Sequence, residues 1–133
     1  MEIQTNTLSP ENKFLVVEDD PSIRAMLRRL FTFMQHTNVT FCGDGREALK
    51  EYKSEEIDLI LLDLGIPGIN GLEVIKEVRA NNCEQKIIVC SGYDQLIRQL
   101  PNDIHSVVKK PFNLIEMIDA INGTLGKEAI TGG

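Results

Sequence analysis

Three apolar runs without alternation, Phe14-Leu15-Val16-Val17, Leu59-Ile60-Leu61-Leu62 and Ile87-Ile88-Val89-Cys90, constrain the fold more than any other feature of this sequence. A strand with one wet face alternates polar and apolar residues, whereas a strand covered by helices on both faces is apolar throughout. The first run ends in acid, and Asp20-Pro21 then supplies an N-cap and a first helical position. Beyond it Ile23, Met26, Leu27, Leu30 and Met34 recur at helical spacing. Val39 to Phe41 reads as a short second strand, followed by Asp44 and Glu47 in capping-box spacing before Ala48, Leu49 and Tyr52.

The third unit runs from Leu59–Leu62, set between Asp58 and Asp63, through the Gly/Pro-rich loop LGIPGING. A helix follows, opened by Asn70 and Glu73 and lined by Leu72, Ile75 and Val78. Lys86 to Cys90 reads as a fourth strand, with a weak helical stretch over Gln95 to Leu100 that Pro101 stops. His105 to Lys109 reads as the fifth strand. Asn113 and Glu116 open a last helix with Leu114, Ile118, Ile121 and Leu125 on one face. Five strand-helix units in alternation predict an α/β fold, a five-stranded parallel sheet with helices on both faces joined by right-handed crossovers.

At 133 residues the chain has the size of one domain. Residues 13–125 carry the periodic pattern, and 1–12 and 126–133 read as flexible tails. A net charge of −6 argues against a surface that tracks nucleic-acid phosphates. The longest buried-looking run, Leu59–Leu62, is far too short to span a bilayer, so no membrane role is expected. Cys42, Cys83 and Cys90 have neither the number nor the spacing of a disulfide framework or zinc site, which fits a reducing cytoplasm. Arg24, Arg28, Arg29 and Lys109 read as solvated surface, Phe31 as core and Phe33 as its flank. His36 and His105, lacking partners at metal or triad spacing, read as surface residues.

In an open parallel sheet, ligands sit beyond the carboxyl ends of the strands. Those ends are chemically loaded here: Glu18-Asp19 after the first strand, Asp63 after the third, Ser91 after the fourth and Lys110-Pro111 after the fifth. Clustered carboxylates repel, and they call for protons or a hard cation with oxygen ligands.

Glu18-Asp19 after FLVV, the D-x-x-x-P-x-x-x-G run from Asp63 to Gly71, Ser91-Gly92 and Lys110-Pro111-Phe112 together resemble the receiver domains of bacterial two-component response regulators. The resemblance spans roughly residues 13–125. It implies a flavodoxin-like fold of strand order 2-1-3-4-5 and phosphorylation of Asp63 by a histidine kinase or histidine phosphotransfer domain. It also implies Mg²⁺, or Mn²⁺ in its place, held by Asp19, Asp63, Glu18 through water and the Gly65 backbone carbonyl. Lys110 and Ser91 would contact the phosphoryl group, and a cis Pro111 would aim the lysine. On this reading the chain is a signalling domain that assists its own phosphorylation and dephosphorylation, not an enzyme acting on other substrates.

Two positions depart from the family pattern. Val107 stands where receivers usually carry Tyr or Phe, which puts in question the aromatic readout through the face of the fourth helix, fifth strand and fifth helix, the expected surface for an output partner or homodimer. Gly65 offers no side chain to position water, and Tyr93 is placed to shade the phosphate, so slow self-dephosphorylation is expected. The Ser-Gly-Tyr-Asp turn and short tail also resemble the C-terminal receiver of hybrid sensor histidine kinases, and a stand-alone regulator and such a fragment both remain open. The competing reading is a docking module that keeps the fold without the chemistry. A phosphatase using Asp63 is less favoured, because no second acid follows two residues later.

Overall fold

The computed structural model describes residues 12–36 and 38–126. Apart from Asn12 and Gly126, the two expected tails lie outside them. In chain order the elements are β1 (Phe14–Val17), α1 (Pro21–Phe33), β2 (Val39–Cys42), α2 (Gly45–Ser54), β3 (Leu59–Leu62), α3 (Gly71–Asn81), β4 (Lys86–Ser91), α4 (Asp94–Ile97), β5 (Ser106–Lys109) and α5 (Leu114–Thr124). All strand pairs are parallel, in the order β2-β1-β3-β4-β5.

The unbroken apolar runs have a direct explanation in the packing. Phe14, Val16, Leu59, Leu61, Ile88, Cys90 and Val108 face one core, which α1 closes with Leu27, Leu30 and Phe31 and α5 with Met117, Ile118 and Ile121. Leu15, Val17, Ile60, Leu62, Ile87 and Val89 face a second core on the other side of the sheet, closed by α2 and α3. Successive residues of each central strand serve opposite cores, so every position must be apolar. Full burial of such side chains stabilises the fold by roughly 1.5–3 kcal/mol each.

Helix starts follow the caps. Asp20 accepts from the Ser22 and Ile23 amides, with Pro21 in the first turn. Asn113 and Glu116 form a complete capping box. At Asp44 and Asn70 the structure shows half of one: each side chain accepts from the amide three residues on, Glu47 and Glu73 respectively. β2 and β4 each run one residue beyond their expected ends, to Cys42 and Ser91, whereas β5 begins at Ser106, one residue late. The helical stretch expected over Gln95–Leu100 is instead the four-residue α4, with no buried side chain. Its turns give way before Pro101, and one short helix without a buried face has little to hold it.

His36 is the clear correction. It is buried, at 3% exposure, with its ring centroid 4.7 Å from that of Phe14 and 6.3 Å from that of Phe31. A neutral imidazole behaves as a flat filler between α1 and β2, and its burial lowers the pKa below the ordinary 6.5. The α1 arginines are less loosely solvated than their pattern suggests, since the guanidinium carbons of Arg24 and Arg28 lie 5.8 and 4.2 Å from the Phe41 ring centroid. His105 is exposed as expected, Phe33 is 44% exposed and Phe31 is core.

Candidate functional site at the carboxyl ends of the strands

The sheet ladder itself places the site residues. The Asp63 amide donates to the Val17 carbonyl at 3.0 Å, carrying the β1–β3 pairing one residue past the strand. The Glu18 amide does the same toward Cys42 on β2, at 2.9 Å, and the Lys110 amide toward Ser91 on β4, at 3.1 Å. Backbone pairing therefore fixes where three charged side chains emerge, and the Lys110–Pro111 peptide bond beside them is cis.

Glu18, Asp19 and Asp63 each present a carboxylate oxygen within 4.8 Å of the other two, the one such cluster of metal-type ligands among the described residues. Two of the three are deeply buried, Glu18 at 2% exposure and Asp63 at 4%, while Asp19 is exposed. At about 4 Å, two carboxylates repel by roughly 4 kcal/mol at an effective dielectric of 20. Lys110 offsets part of this, with Nζ 2.6 Å from Glu18 Oε1 and 3.2 Å from Asp63 Oδ2. The remaining oxygens take backbone donors: Asp20 N–H reaches Glu18 Oε2 at 3.1 Å, and Gly65 N–H reaches Asp63 Oδ1 at 3.2 Å.

Burial pushes the Glu18 carboxyl above its usual range, against the pull of the Lys110 hydrogen bond. For Lys110, burial works to lower the pKa, but the hydrogen bonds and charges of Glu18 and Asp63 outweigh it and leave the value raised. Lys110 is therefore a fixed positive charge at neutral pH. Three carboxylates beside one ammonium leave a net negative hollow, and its all-oxygen donor set suits a hard divalent cation such as Mg²⁺.

These side chains open into a cleft of about 530 Å³, bounded also by Asp20, Gly65 and Tyr93. Asp20 keeps its cap on α1 and is committed to that helix. Ser91 is fully buried, its Oγ accepting from the Tyr93 amide at 3.2 Å, and Gly92 rather than Ser91 lines the cleft. Val107 pairs with Val89 and is 40% exposed, on the outer strand beside the site. Lys109 is exposed and binds Asp94 at 2.8 Å. A second hollow, of about 440 Å³, is lined by Asp58, Glu84 and Lys86 without a comparable convergence of ligands.

The structure adds two residues that the motif pattern alone does not explain. A Cβ on Gly71 would lie 2.5 Å from Leu64 Cα and 2.9 Å from the Asp63 carbonyl oxygen, so only glycine lets α3 start against the backbone of the acid loop. A Cβ on Gly45 would run into the Ile69 carbonyl of the same loop. Gly71 is visible in sequence as the last residue of the D-x-x-x-P-x-x-x-G run. Gly45 carries no signal beyond a turn-forming Asp-Gly pair.

Comparison with known proteins agrees with the geometry. The family model of the response regulator receiver domain matches residues 14–122. The chemotaxis protein CheY of Thermotoga maritima is 30% identical over 113 residues, covering 83% of this chain and 94% of that protein. Among solved structures, the response regulator TrrA of Thermotoga maritima, in complex with Mg²⁺-BeF, superposes with a TM-score of 0.77 at 32% identity, covering 85% of this chain and 98% of that one. The receiver domain of a Pseudomonas aeruginosa sensor histidine kinase, with magnesium coordinated in its active-site cleft, gives 0.79 at 25% identity, covering 87% and 98%. From β1 to the last helix, in sequence as in strand order, this chain belongs to the response regulator receiver domain family.

Proposed function

We propose that this chain is a phosphoacceptor of two-component signalling, with Asp63 as the residue phosphorylated. The observation that carries the reading is the convergence of Glu18, Asp19 and Asp63 with Lys110 at one end of the sheet. An Asp63 carboxylate oxygen attacks the donor's phosphorus, forming an acyl phosphate as the phosphorus–nitrogen bond of a phosphohistidine, or the phosphorus–oxygen bond of acetyl phosphate, breaks. Glu18, Asp19, Asp63 and the Gly65 carbonyl would hold Mg²⁺, with Mn²⁺ as a substitute. When bound, the metal supplies positive charge to offset that gathering on the phosphoryl oxygens.

Lys110 contributes a point charge held against Asp63 by its ion pair, and the backbone N–H of Gly65 orients the carboxylate. The Ser91 hydroxyl, released from the Tyr93 amide, would donate to a phosphoryl oxygen. That exchange links the site to α4, whose N-cap is Tyr93. With Val107 in place of an aromatic ring, the signal would pass through the β4–α4 loop more than through β5. Histidine kinases and histidine phosphotransfer domains are the donors, in a cytoplasmic setting, and the α4–β5–α5 face is the surface offered to an output partner or a second copy.

Incubation with acetyl phosphate and Mg²⁺, followed by intact-mass measurement, tests this. A single phosphate adduct is expected on the wild type and none on Asp63→Asn; an adduct on both, or on neither, overturns the assignment.

A further inference from the structure

The sheet ends at β2, and the outer edge of that strand is open. Phe14 N–H donates to the Asn38 carbonyl and Glu18 N–H to the Cys42 carbonyl, so the even-numbered residues of β2 turn their backbone groups toward β1. Val39 and Phe41 therefore turn theirs outward, to the side where β2 has no neighbouring strand. Val39, Thr40 and Phe41 are only half-buried, whereas every residue of β1 is buried. An open edge is a template for a further strand, and chains commonly blunt it with lysine, proline or a bulge. β2 has neither lysine nor proline, and its register with β1 is unbroken.

Beside this edge, α1 carries three arginines and no acid, in a chain of net charge −6. Among the described residues neither Arg24 nor Arg28 has a carboxylate at ion-pair distance. Both lie against Phe41 instead, at 5.8 and 4.2 Å from its ring centroid, and Arg24 Nη1 is 3.4 Å from the place a Cβ on Gly43 would take. Two hollows of about 310 and 270 Å³ flank them and share Arg28, one reaching Pro21 and the other Val39 and Phe41. Stacking holds the planar guanidinium forks in place, so less freedom is lost when they grip a carboxylate.

We propose that the β2 edge, with Arg24 and Arg28 above it, is a docking strip for an extended acidic segment of a partner protein, which joins the sheet as a further strand. Main-chain bonds to Val39 and Phe41 supply the affinity, and carboxylates on alternate residues of the segment meet the two guanidiniums. The two faces of the edge differ in charge. Phe41 packs on the α1 side, whereas Cys42 faces the α2 core with the carboxylates of Glu47, Glu51 and Asp44 nearby. A segment acidic at every position is repelled on that second face, so the strip selects acids that alternate with neutral residues. A nucleic-acid backbone could meet the arginines but has no amides to offer the strand. A second copy paired edge to edge about a twofold axis would set arginine against arginine.

Titration of the full chain with a short capped peptide of alternating Glu and Thr, and with its Lys/Thr counterpart, tests this through backbone amide signals. The Glu/Thr peptide is expected to shift Val39 and Phe41 more than Thr40 and Cys42, which face β1, and the Lys/Thr peptide is expected to leave all four in place. Arg24→Gln combined with Arg28→Gln is expected to weaken binding by about tenfold, and added salt to weaken it in the wild type. Equal responses to the two peptides, shifts confined to α1, or no shift at millimolar Glu/Thr peptide would each overturn the proposal. Shifts at Val39 and Phe41 that grow with protein concentration in the absence of peptide would make a second copy the occupant, and overturn it as well.

Discussion

The ring of Tyr93 lies across Gly65, in the space that a side chain at that position would need: a Cβ there would sit 2.9 Å from the ring's Cδ2 and 3.2 Å from its Cζ. Tyr93 is 58% exposed and contributes the N-cap position of α4, so the rim of the acid cleft is an exposed ring laid on bare backbone. Two residues after Asp63 the chain has no side chain, and two after Ser91 it has an aromatic ring that covers that bare backbone.

That cover bears on how long a phosphate on Asp63 survives. Hydrolysis needs a water in line with the acyl phosphate; Gly65 has no side chain to orient one, and the Tyr93 ring lines the cleft that such a water would have to enter. Tyr93→Ala is expected to shorten the lifetime of the phosphorylated protein several-fold, read by intact mass after the donor is removed. Identical decay in wild type and variant would sink the idea.

Gly65 and Gly71 should respond differently to the same methyl group. At Gly65 the obstacle is the far end of a flexible side chain, so Gly65→Ala is expected to cost no more than about 1 kcal/mol. At Gly71 the obstacles are the Leu64 backbone and the Asp63 carbonyl, which cannot step aside without moving the acid loop. Gly71→Ala is expected to cost about 1–3 kcal/mol in urea unfolding and to slow phosphorylation by acetyl phosphate. Equal midpoints for the two variants would contradict this.

Thiol reactivity should separate the cysteines cleanly. Burial pushes the Cys42 and Cys90 thiols up to about 12, whereas Cys83 is exposed. Since the thiolate is the nucleophile, native protein near neutral pH should take iodoacetamide at Cys83 alone, and denatured protein at all three positions. Modification of Cys42 or Cys90 at a rate near that of Cys83 would count against the packing described.

His36 makes stability depend on acid. Its folded pKa lies below 6.5, so the unfolded chain takes up a proton first as pH falls. The folded state keeps its full advantage above that value and loses it as pH drops through the window beneath. Among the described residues the buried Nε2 has no hydrogen-bond partner, so His36→Phe should remove an unsatisfied polar atom at the cost of a modest fit to Phe14 and Phe31. The variant is expected to lose less stability than wild type between neutral pH and roughly a unit below 6.5. Matching urea midpoints at both pH values in the two proteins would show the imidazole to be irrelevant.

Val107 sets an expectation for the activated state. With Mg²⁺ and beryllofluoride, backbone amide shifts should concentrate between Ser91 and Ile97 and stay small over Ser106–Lys109, because no ring is available on β5 to change place. Shifts across β5 as large as those at Ser91 to Tyr93 would overturn the loop-centred readout.

Much of this architecture was legible because parallel strands covered on both faces leave runs such as FLVV and LILL, which no half-exposed strand needs. The convergence of Glu18, Asp19, Asp63 and Lys110 was legible for a related reason, since strand order dictates which strand ends meet. What stayed hidden depends on side-chain reach. Nothing in the spacing says that Lys110 binds Glu18 more closely than Asp63, or that Tyr93 turns over Gly65. His36 was misjudged because polarity was read as exposure; a histidine between two phenylalanines packs by shape, and only the fold brings those rings together. The length of α4 escaped because a weak helical period does not tell one turn from two.

That brevity of α4 has a mechanical meaning. Every other helix anchors at least three buried residues, while α4 has none and touches its core only through half-covered Leu96 and Ile97. In a molecule whose sheet is clamped from both sides, α4 is the helix with the least packing to hold it in place. A site that can deliver only a few hydrogen bonds' worth of work cannot bend a five-stranded sheet, but it can tip a single turn of helix that begins at its own rim.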